Sequence, residues 1–546
     1  MKGVRLNVLA ILLMIHVSAF AQVHTLTEEE ILFDDVTGSI ISCLSQYDSI
    51  NIPDEIRERP VRNIGPGGFL SKGISGIYFP ATIKSIGIAS FAYNKINTLQ
   101  IPDNVEYIGD NAFQYNAICS LHMSQNIKHI GHNAFSGNSF ATFTIPNSLD
   151  TIRGFTGAGI RDITIPSTVS VIDSFAFSLN HFDKIYIEEG VRKINYCAFR
   201  LELSRVGAPE DVFPPLPDDP TIDCLEIPYT VTDIEDMAFY SQLTIRTLNL
   251  NEGLVNLGDY SFWDAQIDTL IIPSTVEHIG QSAFEYNGMD SLHLGSDLTF
   301  LGAEAFAHNH LQHLSFPPLL STLPSGCFMN NHIKEIDIPS TIRAIGPSCF
   351  AYNNIRNVSI AGSVATIDSA AFMKNVELSS ITLDEGVVSI GAYAFAYCSD
   401  VRYDTTRISK LILPSSLRDI KPYAFYYTYL SRTELPQYNN DNTKKLSWYK
   451  YSGTKDNIVE EVEHIGGANF ALTNSQYGYF AIESDIPQGH IDAVEHVLNV
   501  EDENDIYDIY EVNGRHIGRG SVKSANLPRG YYFLRTKDAS RKIIVE

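Results

Sequence analysis

Phenylalanine recurs at positions 69, 91, 113 and 135, each 22 residues after the last. Between two of them, Phe91 to Phe113, the chain reads FAYNKINTLQIPDNVEYIGDNAF, and the neighbouring windows reuse its parts. Those parts are Ala-Phe or Ser-Phe, an Asn three residues on, an L-x-I-P core, a second apolar pair closing on Ile-Gly, and Phe again. A fixed period in this range marks a stacked repeat, in which each unit buries its apolar face only against its neighbours. An array also suits a chain of 546 residues, which is longer than a single compact core comfortably fills.

The series continues through Phe155, Phe177, Phe199, Phe239, Phe262, Phe284, Phe306, Phe328, Phe350, Phe372, Phe395, Phe425 and Phe470, and its irregular steps are informative. Phe135 to Phe155 spans 20 residues, a shortened coil written GFTGAGI. Phe199 to Phe239 spans 40, and its surplus is rich in prolines and acids, as expected of a loop leaving the stack. Phe395 to Phe425 spans 30 and Phe425 to Phe470 spans 45. Inside that last step Val462-Glu463-His464-Ile465-Gly466 repeats the wording of Val276-Glu277-His278-Ile279-Gly280, which predicts one more coil.

Within a coil, Leu99 and Ile101 alternate with Thr98 and Gln100, the period of a short strand, and Pro102 ends it because proline cannot donate to a ladder. Val105 and Ile108 form a second extended arm. Gly109 then precedes Asp-Asn-Ala-Phe, read as a single helical turn. Gly, Asp and Asn recur at the position of Gly109, but so does Pro324, which excludes a left-handed backbone and favours an N-cap role. Phe plugs the interior. Asn at 94, 116, 138, 180, 287, 309, 331, 353 and 375 stacks into a ladder whose amides can bond one another and the turn backbone.

Composition narrows the function classes. A net charge of −25 repels nucleic acid and anionic membrane. Lys2, Arg5, the apolar run Val8 to Val17 and Ala19-Phe20-Ala21 make residues 1–21 a signal peptide, and no later run is long enough to span a membrane. Seven scattered cysteines are too few for a disulfide framework; Cys327 and Cys349 occupy the small-residue position of adjacent coils and are read as two buried thiols. No H-E-x-x-H, G-x-S-x-G, Walker loop or C-x-x-C occurs, so no enzyme and no cofactor is expected. His310 and His332 should stack on neighbouring coils, but without a third ligand they are read as exposed loop residues rather than a metal site.

The unit I-P-x-x-V-x-x-I-G-x-x-A-F-x-x-N-x-I-x-x-L-x-I-P resembles the BspA-type bacterial leucine-rich repeat over roughly residues 50 to 480. The resemblance implies a β-rich solenoid of right-handed leucine-rich-repeat coils with short strands and single helical turns, on a secreted or surface protein acting in adhesion or protein interaction. Beyond it, D-I-Y-E-V-N-G-R, L-P-R-G-Y-Y and K-I-I-V build a small C-terminal β module similar to the sorting domain of type IX secretion, with Gly514, Arg515, Gly530, Tyr531 and Lys542 as its motif residues. That similarity implies export to the outer surface. The expected order is signal peptide 1–21, N-terminal cap 22–49, solenoid 50–481 with insertions near 200–222 and 437–461, linker 482–496, and β module 497–546.

The candidate binding surface is the outward column inside L-x-I: Gln100, His122, Thr144, Thr164, Tyr186, Glu226, Asn249, Ile271, His293, Ser315, Asp337, Ser359, Thr382 and Ile412. The residues flanking this column must be apolar, whereas the column itself is free to vary, and a solenoid lays it out as one long face suited to an extended extracellular protein or matrix ligand. Glycan recognition is the alternative, through the insertion carrying Trp448, Tyr449 and Tyr451.

Overall fold

The computed structural model describes residues 23–140, 143–201, 221–240, 244–398 and most of 408–428. It also describes seven later strands: Leu446–Lys450, Glu460–Ile465, Gly478–Ile482, Tyr507–Glu511, His516–Gly520, Gly530–Arg535 and Ser540–Val545. The signal sequence, the linker, Phe470, most of both insertions, and Asn513 to Arg515 lie outside the described residues.

Most coils lay down the two extended pieces read from the sequence; the L-x-I stretches around Thr144 and Ser315 are not regular strands. The L-x-I strand pairs in parallel with the same strand one coil on, as Thr98–Gln100 does with Ser120–His122, so Leu99 meets Leu121. The Ile-Gly arm does likewise: Tyr107–Ile108 lies between Ser85–Ile86 and His129–Ile130. The result is two series of short parallel sheets with an apolar interior between them. Leu99, Ile101, Val105, Ile108, Ala112, Phe113 and Ile118 of one coil are all fully buried.

The third side of the coil differs from expectation. No helical turn follows the Ile-Gly pair, and among the described residues the only helix is a 3-10 turn at Glu28–Glu30. Instead the second residue before Phe and the second after it adopt a left-handed backbone, as at Ala89 (φ 51°) and Tyr93 (φ 58°) around Phe91. A helical turn would satisfy its N–H groups within the coil. Here Ala89, Phe91 and Tyr93 donate theirs to the carbonyls of Asp110, Ala112 and Gln114 in the next coil, at 2.7–2.8 Å. Ser90 and Ala92 close tight turns back onto Gly87 and Ala89. A left-handed non-glycine residue costs about 1–2 kcal/mol. That strain is offset because every coil becomes hydrogen-bonded to its neighbour on this side too.

Gly109 is likewise not a helix cap. Its φ lies outside the left-handed region, as Pro324 in the equivalent place requires, and a Cβ added to it would sit 2.7 Å from the amide nitrogen of Ile88. Glycine there allows two coils to approach closely.

From Phe69 to Phe425 each phenylalanine ring stacks on the next, with centroids 4.9 Å apart at Phe69–Phe91 and 5.9 Å at Phe155–Phe177 and Phe306–Phe328. The stack passes the irregular steps undisturbed: Phe199 and Phe239 lie 5.0 Å apart, and Phe395 and Phe425 lie 5.4 Å apart. Each long step therefore adds one coil and no break. At the N-terminal end, Ile31–Asp34 and Ser39–Cys43 form an antiparallel pair whose second strand continues in parallel onto Asn63–Ile64. This pair buries Ile31, Phe33, Ile40 and Cys43 against the first coil.

The strand carrying the repeat wording at Val462 pairs antiparallel rather than in the parallel series, and Phe470 lies outside the described residues. Glu460–Ile465 runs antiparallel to Leu446–Lys450, which in turn runs antiparallel to Gly478–Ile482. Pairing with Leu446–Lys450 closes a much shorter loop than reaching back to the last parallel arm, Asp419–Ile420. The final four strands form one antiparallel sheet in the order His516–Gly520, Tyr507–Glu511, Gly530–Arg535, Ser540–Val545.

Candidate interaction surfaces

The outward column of the L-x-I strands is in register. Gln100 faces His122, Thr164 faces Tyr186, Glu226 faces Asn249, and Ile271 faces His293. Asp337, Ser359, Thr382 and Ile412 follow one another in the last sheet. All are exposed except Ser359 and Thr382, which are half-buried, while Thr144 and Ser315 are exposed in stretches outside regular strands. Alternation explains this: Leu99 and Ile101 on either side of Gln100 face the interior, so Gln100 must face out. The column also runs upstream through Asn51 and Tyr78, which face each other. Their I-N-I-P and I-Y-F-P wording matches L-Q-I-P, a signal the sequence reading passed over.

A second surface, on the turn side, was not read from the sequence at all. Many of the left-handed residues flanking the phenylalanines point outward, and several of these are aromatic, although Cys197 and Ser282 are buried. Tyr93 and Tyr115 lie 5.1 Å apart, Tyr393 and Tyr423 5.2 Å, and Tyr286 stacks on His308 at 4.2 Å. Lys374 sits 4.7 Å above the ring of Tyr352. Tyr recurs two residues after Phe at 93, 115, 286, 352 and 397, but only the geometry of the turn shows that these positions form rows.

Midway along this side, Arg200 lies over the ring of Tyr240, Tyr240 stacks on Trp263 at 4.8 Å, and the Trp263 indole N–H donates to Glu285 Oε2 at 3.2 Å. Glu285 is 8% exposed and forms no ion pair among the described residues. Burial, then the charge of nearby Glu304, pushes its carboxyl up to about 7, with the Trp263 N–H pulling the other way. Burial also holds His308 down at about 4.

The signs of these two shifts are opposite. A carboxyl raised in the folded state contributes stability that is present below about pH 4.5 and lost as pH rises through about 7. A lowered histidine contributes stability that is present above about pH 6.5 and lost as pH falls through about 4. Glu285→Gln is therefore expected to stabilise the protein at pH 8, where His308 is neutral in both states, by about 2–3 kcal/mol. It should change little at pH 4. Denaturant melts of both proteins at the two pH values check this, and an equal effect at both would contradict it.

The asparagine ladder is structural. All nine amides are largely withdrawn from solvent, and they bond the backbone rather than one another. Asn309 accepts from Met289 N–H at 3.2 Å and donates to the carbonyls of Phe284, Phe306 and Ala307. Where Asn is absent, Thr428 takes over, its hydroxyl accepting from Cys398 N–H and donating to Phe395 C=O.

His310 and His332 stack 5.1 Å apart as the spacing predicts, and among the described residues no group of three metal-ligating side chains exists. Cys327 and Cys349 are buried free thiols with Sγ atoms 3.4 Å apart, and burial pushes the Cys349 thiol up. Of the sorting-like residues, Gly530 and Tyr531 open a strand opposite Val545 and Ile544, and Lys542 pairs with Phe533, while Gly514 and Arg515 lie outside the described residues. Trp448 and Tyr449 lie on the strand Leu446–Lys450; Tyr451 lies outside the described residues. Among the described residues no helix is long and apolar enough to cross a membrane.

Comparison with known proteins places this geometry. No curated protein matches the chain. Among solved structures it is similar to a leucine rich cell surface protein from Faecalibacterium prausnitzii, with 20% identity over 66% of this chain and 94% of that one, at a TM-score of 0.38. A leucine-rich repeat protein from Bacteroides ovatus gives 20% identity over 71% and 91%, at 0.49. The pneumococcal vaccine antigen PcpA gives 17% over 69% and 76%, at 0.26. The BspA type leucine rich repeat region matches in six copies, over residues 39–156, 142–212, 219–334, 282–402, 321–443 and 403–488. With its stacked phenylalanines and coils of about 22 residues, the chain belongs to the BspA-type leucine-rich repeat family.

Proposed function

We propose that this is an exported, surface-associated, non-enzymatic scaffold whose L-x-I sheet face binds an extended protein ligand, as adhesion or contact between cells and matrix requires. The observation that carries the reading is the registered outward column. It places side chains of differing chemistry about 4.8 Å apart along a rigid array, over an interior that hardly varies. Tyr78, Tyr186, Ile271 and Ile412 are its large exposed members, and aromatic anchors within a polar surround are what a protein interface uses. The N-terminal leader and the sorting-like tail, with Gly514, Arg515, Gly530, Tyr531 and Lys542, support an outer-surface destination.

The test is binding of the mature chain to immobilised fibronectin, laminin and collagen, compared with a variant carrying Tyr78→Ala, Tyr186→Ala and His293→Ala. Binding to at least one of these, weakened about tenfold or more by the triple change, is expected. Undiminished binding by a normally melting variant would move the site off this face. Display of the chain lacking residues 497–546 on the cell surface at the parent level would remove the tail from the argument.

A further inference from the structure

The shortened coil between Phe135 and Phe155 leaves a mark on the turn side. Ordinary coils place a side chain on the left-handed position two residues before Phe, here Asn133 before it and Phe175 after it. The coil between them is two residues short and has no counterpart at that position; Gly154, immediately before Phe155, sits at φ 95°. A Cβ at Gly154 would lie 2.5 Å from the carbonyl oxygen of Gly131, so the backbone is drawn in against its neighbour and only glycine fits. A notch of about 290 Å³ results, lined by His132, Asn133, Gly154, Thr156, Ser174 and Phe175.

We propose that this notch is a saccharide subsite that accepts one neutral pyranose ring of a glycan. Its volume is at the bottom of the range of about 300–1,000 Å³ usual for ligand pockets, which suits a single ring with the remaining chain in solvent. On a chain of net charge −25, no carboxylate, lysine or arginine lines it. The adjacent Arg153 is engaged by Asp173 at 3.0 Å. The one ionisable lining group, His132, lies 3.5 Å from Arg153 Nη1, and a hydroxyl-rich neutral molecule finds matching groups in the rest of the lining. The Asn133 amide and the Ser174 hydroxyl make no side-chain hydrogen bond among the described residues, so both are available.

The apolar wall is set in advance. Phe175 is 43% exposed, and Tyr196 braces its ring edge-on at 5.3 Å. The Thr156 hydroxyl donates to the Phe175 carbonyl at 2.7 Å, tying the floor to the wall. A sugar's C–H face can lie on the ring while its hydroxyls reach Asn133 and Ser174.

The experiment titrates the full chain with methyl β-D-glucoside, methyl β-D-galactoside, methyl α-D-mannoside and methyl N-acetyl-β-D-glucosaminide, followed by saturation-transfer NMR. At least one should bind saturably, with Kd near about 1 mM, as expected for so small a ligand. Phe175→Ala should weaken it about tenfold or more, and Phe175→Leu, which keeps apolar bulk without a ring face, should weaken it in the same direction. The sheet-face change Tyr186→Ala should leave glycoside binding intact, so this proposal and the protein-ligand reading fail separately. Absence of saturable binding by all four glycosides, or parental affinity in both Phe175 variants, would overturn it.

Discussion

Phe306→Ala is expected to lower the unfolding free energy by about 3–5 kcal/mol, the usual loss when a fully buried phenylalanine is truncated. Phe306 has no exposed surface, and its ring lies between those of Phe284 at 5.5 Å and Phe328 at 5.9 Å. Removing it opens a cavity against both neighbours at once, and closure onto it is resisted by the backbone bonds that tie these coils together on the turn side, as from Phe306 N–H to Cys327 C=O at 3.0 Å. In a nearest-neighbour array a lesion of this size also weakens the coupling between the coils on either side. Denaturant unfolding should therefore show a lower midpoint and a broadened or split transition. The exposed Tyr352→Ala, two coils away, should stay within about 0.5 kcal/mol of the parent. Similar losses for the two variants would mean that the phenylalanine column is not the interior.

Asn309→Ala comes second, at about 2–4 kcal/mol, for a different reason. The amide accepts one backbone N–H and donates to three carbonyls, two in its own coil and one in the coil before. Alanine leaves those groups buried without the partner that satisfied them. Asn309→Asp is the sharper variant. It keeps the shape and the acceptor but turns an oxygen toward the carbonyls of Phe284 and Phe306, so at neutral pH it should destabilise at least as much as alanine. Stability should partly return as the carboxyl is protonated on acidification. A harmless Asn309→Asp would show that the ladder is ornamental.

How far the structure could be read beforehand follows from where its determinants lie. The strands, their register and the buried phenylalanines were legible because each depends on side-chain polarity: Leu99 and Ile101 must be apolar, and Gln100 need not be. The turn was not, because its geometry depends on backbone conformation at Ala89, Tyr93, Met237 and Cys197, residues that carry no signature of a left-handed φ. Gly67, Asn111, Asn133 and Gly326 hint at it, but most coils carry other residues there. Reading Gly109 as a helix cap failed for the same reason, since close approach of two backbones and a cap both favour glycine. The repeat wording at Val462 lies within the last family match, 403–488, but it could not tell that Glu460–Ile465 pairs antiparallel with Leu446–Lys450. Among the candidate sites, the sheet-face column followed from alternation, whereas the aromatic rows beside the phenylalanines and the Glu285 nook required the turn to be known first.

The account rests on coils stacking as equivalent rungs straight through the irregular steps, and the chain carries its own pair of reporters. Cys119 and Cys224 are exposed while the other five cysteines are buried, so a thiol-reactive spin label applied to the folded protein should mark these two. They occupy nearly matching places four coils apart, on either side of both the shortened coil and the insertion near residue 210. Stacking at about 4.8 Å per coil predicts a narrow distance distribution centred near about 20 Å by pulsed electron spin resonance. A broad distribution centred well beyond that would mean that the array breaks between them.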